Sequence, residues 1–332
     1  MPASVLGLDV GGANLKAAHS AGAARSRPFA LWKVPTALPD ALRELLRDWP
    51  PYDLLAVTMT GELCDCFPTK AEGVRAILDA VSLAAGGTPV RVWTTDGWLV
   101  DLAAARADPL PAAAANWLAL ATYAGRFAPR RPALLIDVGS TTTDIVPLLD
   151  GRPVPRGRTD SERIRRSELA YTGVIRTPLC AVLGSRGAAE FFATTRDVFL
   201  LLGRLPEDPS DCDTADGRPA TRACAEARVA RMICADLETS TADERRKLVE
   251  FAHLRQVMYV GGCIETVARS LPRLPETIVL AGVGEFLAQT ALSEQKTVQP
   301  CPVFSFGREL GAEVSKAACA YALAVIASEA GR

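Results

Sequence analysis

Short apolar runs alternate along this chain with longer segments in which apolar residues recur at helical spacing. The short runs, bounded by turn-forming residues, predict buried strands, and the longer segments predict helices. The predicted strands cover residues 5–10, 14–19, 29–34, 54–59, 90–94, 133–138, 143–149, 277–281 and 303–306. The predicted helices cover residues 40–49, 71–85, 112–126, 188–202, 221–237, 242–271 and 308–330. Strands that alternate with helices indicate an α/β fold.

Other segments depart from this regular pattern. Residues 156–177 are basic and polar, which predicts irregular structure, whereas residues 205–221 are rich in Asp, Pro and Gly and predict an exposed loop or a mobile insertion. Asp40 is expected to cap the helix over 40–49, because it follows Pro39 directly ahead of the apolar residues at helical spacing. A pair of glycines at 261–262 is a potential break in the helix over 242–271.

A cluster of proline and basic residues at 128–132 divides the chain into two similar halves. The order strand, Asp-x-Gly turn, strand occurs once on each side of it, at residues 5–19 and 133–149. The 332 residues are also too many for one typical core. We therefore expect two domains, 1–128 and 129–332, with the terminal helix packed back toward the first.

The composition argues against nucleic acid and membranes as partners. The chain carries 37 basic and 38 acidic residues, so its net charge gives no general attraction to nucleic acid or to an anionic membrane. It has no apolar stretch of the roughly 18–20 residues that a membrane helix needs, and no basic segment of a secretory signal at its start. Nine cysteines, an odd number, indicate reduced thiols. We expect a cytoplasmic protein that binds small molecules.

Two turns, one in each half, carry the chemistry that the sequence suggests. The first reads GLDVGGANLK from Gly7 and the second IDVGSTTTD from Ile136, so that Asp9 and Asp137 each lie near the end of an apolar strand. Glycine lets backbone N–H groups approach an anion, and hydroxyls add donors for phosphate oxygens. The predicted phosphate-binding residues are Gly11, Gly12, Asn14, Gly139, Ser140, Thr141 and Thr142. A carboxylate cannot bind phosphate directly, so we expect Mg²⁺, with Asp9, Asp137 and Asp144 as its ligands.

A third glycine-rich turn follows the predicted strand at 277–281. It reads AGVGEF from Ala281 and leads into a helical segment, which suits the approach of a nucleotide or another phosphate compound to a helix N-terminus. Gly282 and Gly284 are therefore predicted to bind phosphate.

The order of these three turns, followed by a long terminal helix, resembles the acetate and sugar kinase, Hsp70 and actin superfamily over nearly the whole chain. The resemblance implies two actin-like (ribonuclease H-like) α/β domains with a phosphate-binding cleft between them. Residues 168–179 (ELAYTGVIRTPL) are similar to the hydantoinase A/oxoprolinase branch. Residues 59–74 (MTGELCDCFPTKAEGV) and 115–121 (ANWLALA) resemble proteins that accompany tetrahydromethanopterin-linked C1 transfer, a group that includes the synthase of methanofuran biosynthesis.

That narrower resemblance implies a Mg²⁺-dependent transferase. It would join an aminomethylfuran methyl diphosphate to the phenol of a (glutamyl)tyramine or tyrosine unit and release diphosphate. Asp9, Asp137 and Lys16 would act on the diphosphate, and Glu62, with Asp65 as a weaker competitor, would accept the phenolic proton. The further predicted substrate contacts are Lys70, Asn116, Tyr171 and Arg176, and Arg165 and Arg166 are additional candidates for an anionic substrate tail.

Two other functions stay open at this point. The superfamily at large suggests an ATP-dependent kinase or ATPase with a nucleotide pocket around residues 282–285, although the first turn has fewer hydroxyls than many kinases. The second is a non-catalytic, ligand-binding subunit of a C1-transfer complex. Whether ATP binds, which phenol is the acceptor, and whether the chain forms a homo-oligomer are open as well.

Overall fold

The computed structural model describes residues 4–295 and 301–330. The strands in those residues are β1 (Val5–Val10), β2 (Asn14–His19), β3 (Ala24–Pro28), β4 (Leu54–Met59), β5 (Val90–Trp93), β6 (Leu99–Asp101), β7 (Ala133–Val138), β8 (Thr143–Leu149), β9 (Arg152–Pro153), β10 (Leu169–Ala170), β11 (Thr277–Ala281) and β12 (Val303–Ser305). The α-helices are α1 (Leu38–Leu45), α2 (Lys70–Ala84), α3 (Leu102–Ala107), α4 (Asn116–Ala124), α5 (Asp160–Arg165), α6 (Leu179–Leu183), α7 (Thr195–Leu201), α8 (Arg222–Arg231), α9 (Ala242–Ala268), α10 (Glu285–Ser293), α11 (Phe306–Glu309), α12 (Ala312–Lys316) and α13 (Ala318–Ala330).

The strands form two sheets that share one plan. In the first sheet the order is β3-β2-β1-β4-β5-β6, with β1, β2 and β3 antiparallel neighbours and with β4 and β5 parallel to β1. In the second the order is β10-β8-β7-β11-β12, with β8 antiparallel to β7 and β10, and with β11 and β12 parallel to β7. Each sheet thus continues an antiparallel hairpin into two parallel strands. This ribonuclease H-like plan confirms the predicted α/β class and the predicted repetition.

The three largest apolar clusters bury both sheets. On one face of the first sheet, Leu8 and Val57 pack with α1 and α2. On one face of the second, Ile136 packs with α9 and α10. Between the sheets, α4 and α13 share a cluster with residues of both, including Ala56 and Leu135. The terminal helix α13 contacts β1, β2 and β4, so it packs back toward the first half as expected.

The third strand is not where the apolar pattern predicted it. That strand is the mostly polar β3, whereas residues 29–34 form turns after it. An edge strand pairs on one side only and needs no buried face, so it can be polar. The apolar run that follows β3 therefore led to a wrong position for the predicted strand. The prediction that Asp40 caps the first helix is also wrong, because α1 has Ala37 as its N-cap and Asp40 lies in its first turn. A negative charge there still interacts favourably with the helix dipole.

Several other helices differ from their predicted bounds. Helices α4, α7 and α8 occupy only part of 112–126, 188–202 and 221–237, and the segment 156–177 contains α5 and β10. The predicted terminal helix is divided into α11, α12 and α13, with a break at Gly311, whose φ of 86° lies in the left-handed region. Conversely, α9 is continuous through the glycine pair, because Val260 and Ile264 on either side are buried and hold that turn in the core.

Residues 205–221 form a mainly exposed loop, and its mobility stays a prediction, as does the domain boundary at 128. None of the helices in residues 4–295 and 301–330 combines the length and the apolar character needed to cross a membrane. The nine cysteines all lie within these residues, and each is a free thiol.

Candidate active site in the cleft between the sheets

The two predicted turns line one cleft between the sheets. In the turn between β1 and β2, the N–H of Gly11 donates to the carbonyl of Asn14 at 3.0 Å. In the turn between β7 and β8, the N–H of Gly139 donates to the carbonyl of Thr142 at 2.8 Å. The two hairpins therefore close in the same way. The cleft has a volume of about 310 Å³, which is within the range of small-molecule sites.

Most of the predicted site residues line this cleft. They are Asp9, Gly11, Gly12, Asn14, Lys16, Glu62, Asn116, Asp137, Gly139, Ser140, Thr141, Thr142, Asp144, Tyr171 and Arg176. Asn116 is the first residue of α4, and its amide lies 3.5 Å from the sulfur of the buried Cys319, which also lines the cleft. Tyr171 follows β10 and is exposed at the cleft edge.

Three predicted site residues lie outside the lining. Lys70 forms an ion pair with Asp160 at 3.7 Å. Gly282, with a φ of 87°, and Gly284 lie against the second turn. An added Cβ at Gly282 would lie 2.3 Å from the Val138 carbonyl oxygen and 2.4 Å from Asp137 Oδ1, and one at Gly284 would lie 2.4 Å from the Val138 side chain. Both glycines thus let the turn between β11 and α10 pack against Val138. Their binding of phosphate stays a prediction.

In the first half, Asp9 and Lys16 are opposite residues of the β1–β2 hairpin. Lys16 Nζ lies 3.9 Å from Asp9 Oδ2, while Asp9 Oδ1 is buried with no hydrogen-bond partner in the part of the chain that the structure describes. Burial raises the pKa of Asp9 against the opposing effect of Lys16. Desolvation acts to lower the pKa of Lys16, but the acidic groups around it, Asp9 first, raise it overall, so the lysine is cationic.

In the second half, Asp137 and Asp144 are opposite residues of the β7–β8 hairpin. Burial, reinforced by the charge of Asp144 and opposed by Lys16, raises the pKa of Asp137 to about 7. Asp144 forms an ion pair with Arg163 at 2.8 Å. Burial raises the pKa of Asp144, although Arg163 acts against it. The Arg163 side chain is 1% exposed and also donates to the carbonyl of Glu168 at 3.0 Å.

These residues fit a divalent cation. The buried Asp9 and the half-buried Asp137, both with raised pKa values, line one cavity, and a cation would stabilise their charged forms. In the described ranges, no group of three His, Cys, Asp or Glu side chains is already arranged as a metal site. Mg²⁺ keeps several waters and needs only one or two carboxylates together with phosphate oxygens. Asp9 and Asp137 therefore suffice as candidate ligands, and Mg²⁺ itself stays a prediction.

Glu62 lines the cleft from the loop that follows β4. Its side chain is buried, and its Oε2 has no hydrogen-bond partner among the described residues. Burial raises the pKa of Glu62 to about 7, with Lys70 among the groups that act in the opposite direction. A carboxylate with this pKa can accept a proton near neutral pH. Asp65, by contrast, is exposed and is not part of the cleft lining.

Two arginine–tryptophan stacks flank the cleft, and sequence analysis missed both as units. The Arg163 guanidinium lies 4.0 Å from the centre of the Trp117 ring, and the Arg176 guanidinium lies 4.4 Å from the centre of the Trp32 ring. All four side chains line the cleft. Flat aromatic walls beside cationic groups suit a ligand that combines rings with negative charge.

A sequence signal for one of these stacks was available. Thr159, followed three residues later by a glutamate, forms a capping box that predicts the start of α5. That helix carries Arg163 into the interior, whereas Arg165 and Arg166 are exposed and outside the cleft lining. No comparable signal marks Trp32, which the wrongly predicted strand over 29–34 placed in a sheet.

Comparisons with known proteins identify the family of this chain. The family model described as hydantoinase/oxoprolinase matches residues 53–301. The (4-{4-[2-(gamma-L-glutamylamino)ethyl]phenoxymethyl}furan-2-yl)methanamine synthase of Methanocaldococcus jannaschii is 32% identical to this chain, over 98% of the chain and 97% of that protein. The synthase of the same name from Methanococcus vannielii is 31% identical, over 58% of this chain and 89% of that protein.

Among solved structures, a nucleotide-free acetone carboxylase matches 98% of this chain and 70% of its own, with a TM-score of 0.55 and 11% identity. At this identity the match shows the fold alone, and it agrees with the predicted actin-like class. The family match covers most of the chain, and the synthase from Methanocaldococcus jannaschii aligns with nearly all of it. The chain therefore belongs to the hydantoinase/oxoprolinase family and, more narrowly, to its methanofuran-pathway branch.

Proposed function

We propose that this protein is a Mg²⁺-dependent transferase that condenses an aminomethylfuran methyl diphosphate with the phenol of a (glutamyl)tyramine or tyrosine unit and releases diphosphate. The observation that carries the proposal is the meeting of the two turns in one cleft, where Asp9, Asp137 and Lys16 are brought together. The relatives named as synthases of a phenoxymethyl-furan amine support the choice of substrates.

The reaction exchanges one C–O bond for another. The bond between the furfuryl methylene carbon and the bridging diphosphate oxygen breaks, and diphosphate leaves with the electron pair. The phenolic oxygen forms the new bond to the methylene carbon, and its proton passes to a base. The furan ring stabilises positive charge on this carbon, so the protein must mainly neutralise the leaving group and position the phenol.

The two turns suit the diphosphate. Their backbone N–H groups and the hydroxyls of Ser140, Thr141 and Thr142 offer donors for its oxygens. Lys16 adds a positive charge beside Asp9. Mg²⁺, held by Asp9 and Asp137, would neutralise charge that develops on the leaving group.

Glu62 suits the role of base. A free phenol has a pKa of about 10 and is a poor nucleophile until its proton is accepted. The raised pKa of about 7 makes Glu62 a stronger base than an ordinary carboxylate, while it is still largely ionised above neutral pH. The rate should therefore increase as the pH rises through about 7. At saturating Mg²⁺, which would keep Asp137 ionised, Glu62→Gln should lower the rate by about 10²–10⁴ and remove that step from the pH profile.

The test is an assay of the purified protein with Mg²⁺, the aminomethylfuran methyl diphosphate and γ-glutamyltyramine or tyrosine. Diphosphate release and the mass of the ether are followed together, for the wild type and for Asp9→Asn. Asp150→Asn is the matched control, because Asp150 is exposed with a φ of 49° that asparagine tolerates. Ether formation without ATP, lost in Asp9→Asn and retained in Asp150→Asn, is the expected result.

Two other outcomes would replace the proposal. ATP hydrolysis or phosphorylation that a furan substrate stimulates, with no ether formed, would indicate the kinase function. Binding of the diphosphate substrate with no turnover of any kind would indicate a non-catalytic subunit. ATP is therefore supplied in a parallel reaction that lacks the diphosphate substrate.

A further inference from the structure

Arg176 and Trp32 meet at the mouth of the cleft. Trp32 follows β3 in the first half, and Arg176 lies beyond β10 in the second, where its backbone N–H donates to the carbonyl of Ser140 at 2.9 Å. That hydrogen bond fixes Arg176 beside the second turn. Its guanidinium lies 4.4 Å from the centre of the Trp32 ring, and Lys33 Nζ lies 5.9 Å from the same point. The stack joins the two halves and gives the cleft a cationic rim.

Arg176 is paired loosely with an anion of its own chain. Among the described residues, Asp213 is the one carboxylate within ion-pair distance of Arg176, at 3.6 Å, and its side chain is 61% exposed. In the same loop over 205–221, Asp211 lies 2.6 Å from Arg196 on α7, and Asp216 lies 3.0 Å from Arg228 on α8. Those two carboxylates anchor the loop, whereas an exposed ion pair such as that of Asp213 contributes little to stability.

The second arginine of the cleft, Arg163, also stacks on a tryptophan but differs from Arg176 in its burial and in its ion pair. Arg163 is enclosed, and its two terminal nitrogens pair with Asp144 and donate to a backbone carbonyl, so they serve the fold, while its buried Nε has no hydrogen-bond partner among the described residues. The Arg176 side chain is 32% exposed, and that of its partner Asp213 is more exposed still. Of the two, Arg176 is the arginine that can exchange its partner for an anion of the substrate.

We propose that the Arg176–Trp32 stack binds a carboxylate on the tail of the phenolic acceptor, and that the Asp213 carboxylate occupies this position until the acceptor arrives. The inference rests on the proposed function for the identity of the acceptor. It assigns the recognition of that carboxylate to Arg176 and Trp32, and it makes Arg176 and Asp213 specificity-determining residues.

The chemistry of the pair suits this role. A guanidinium presents its N–H groups in a plane that matches both oxygens of a carboxylate, and stacking on an indole holds that plane in one orientation. Lys33 adds a second positive charge on the approach. A substrate carboxylate can replace the Asp213 carboxylate in the ion pair with Arg176. An acceptor without a carboxylate cannot form that ion pair, so it has no favourable interaction with which to displace Asp213.

Binding measurements test the proposal independently of turnover. γ-Glutamyltyramine is compared with the analogue whose carboxylate is replaced by a carboxamide, by calorimetry and by tryptophan fluorescence. The wild type should bind the carboxylate at least about tenfold more tightly. Arg176→Gln should abolish this difference while leaving the carboxamide unaffected, and Asp213→Asn should tighten binding of the carboxylate by several-fold without changing that of the carboxamide. Equal affinity for the two ligands in the wild type, or an equal loss for both in Arg176→Gln, would overturn the proposal.

Kinetics separate this inference from the proposed function. The tail is remote from the reacting atoms, so Arg176→Gln should raise KM for γ-glutamyltyramine about tenfold and leave kcat within about twofold. Ether formation that is insensitive to Arg176→Gln would retain the transferase and reject the carboxylate site. Carboxylate-selective binding that depends on Arg176, with no ether formed, would retain the site and reject the transferase.

Discussion

The two hairpins of this molecule place different charges at equivalent positions. In the first half, Asp9 lies opposite Lys16 across β1 and β2; in the second, Asp137 lies opposite Asp144 across β7 and β8. The members of each pair are seven positions apart in the sequence, and each hairpin closes with the same turn hydrogen bond. The backbone is thus duplicated, whereas the charge is not.

A third position shows the same divergence. Thr58 pairs with Asp9 in the first sheet, as Ala281 pairs with Asp137 in the second, and a glutamate follows four residues later in both. Glu62 lines the cleft with an unpartnered oxygen in the part of the chain that the structure describes.

Glu285, the equivalent residue of the second half, is hydrogen-bonded within the protein. The carboxylate of Glu285 accepts hydrogen bonds from the backbone N–H of Gly307 at 2.9 Å and from the hydroxyls of Ser305 and Ser315. The comparison teaches that the first half leaves facing the cleft a lysine and a glutamate oxygen that is unpartnered among the described residues, whereas the equivalent side chains of the second half are paired within the protein. In the proposed reaction, the first half would therefore supply the proton acceptor and the cation.

The largest expected effect is on stability and comes from replacing Arg163, whose guanidinium pairs with Asp144. Arg163→Met should lower the free energy of unfolding by about 3–5 kcal/mol, because it leaves a buried carboxylate without its partner. Urea denaturation measures it. Arg126, exposed and paired with Glu329, is the control, and Arg126→Met should cost below about 1 kcal/mol.

A double variant sharpens this prediction. Adding Asp144→Asn to Arg163→Met should recover much of the lost stability, since no buried charge is then left unpaired. Additive losses in the double variant would mean that Asp144 is stabilised by something other than Arg163.

Next in size is the loss of the cation in the first half. Lys16→Met should lower the rate of ether formation by about 10²–10³, because the leaving diphosphate loses a fixed positive charge. Initial rates of diphosphate release measure it. Lys247→Met is the control, since Lys247 pairs with Asp243 on the surface of α9 and should leave the rate unchanged. A Lys16→Met rate within threefold of the wild type would contradict the assignment.

The two glutamates at equivalent positions, Glu62 and Glu285, give a smaller effect on stability, which depends on pH. The folded pKa of Glu62, about 7, lies above its ordinary value of 4.5, so the folded state binds the proton more tightly and stability falls as the pH rises between these values. Relative to the wild type, Glu62→Gln should therefore gain roughly 2–3 kcal/mol of stability between pH 5 and pH 8. Thermal or urea unfolding at the two pH values measures it.

Glu285→Gln is the matched comparison. It weakens hydrogen bonds that a carboxylate accepts, so it should lower stability by about 1–3 kcal/mol at both pH values. A pH-dependent gain in Glu285→Gln, or its absence in Glu62→Gln, would show that the two positions are not used differently.

The smallest expected effect is the difference in stability cost between a glycine-to-alanine substitution in the first turn and one in the second. An added Cβ at Gly11 would lie 2.7 Å from the carbonyl oxygen of Asn14, whereas at Gly139 it would lie 3.3 Å from that of Thr142. Gly11→Ala should cost about 1–3 kcal/mol of stability because backbone must move, and Gly139→Ala should cost less than about 1 kcal/mol. Equal costs, measured by urea denaturation, would mean that the first turn relaxes as easily as the second.

The parts of this site that the sequence predicts are those built by local structure. Asp9 and Asp137 could be identified because a strand, a turn and a second strand fix them within a few residues, and the pattern occurs twice. Arg163 and Trp117 reach the cleft only through the packing of α5 and α4, which apolar spacing does not reveal. Gly282 is predicted to bind phosphate, and what the sequence does not reveal is that its missing Cβ leaves room for both the Val138 carbonyl oxygen and the Asp137 carboxylate.

The most direct test of the central claim is the rate of ether formation in Asp9→Asn, Asp137→Asn and the double variant. If the two halves form one site, each single substitution should lower the rate by about 10³ or more, and the double variant should lose little beyond either one, because residues that act as a unit are not additive. An Asp137→Asn rate close to that of the wild type would contradict the account, since it would confine the chemistry to the first half.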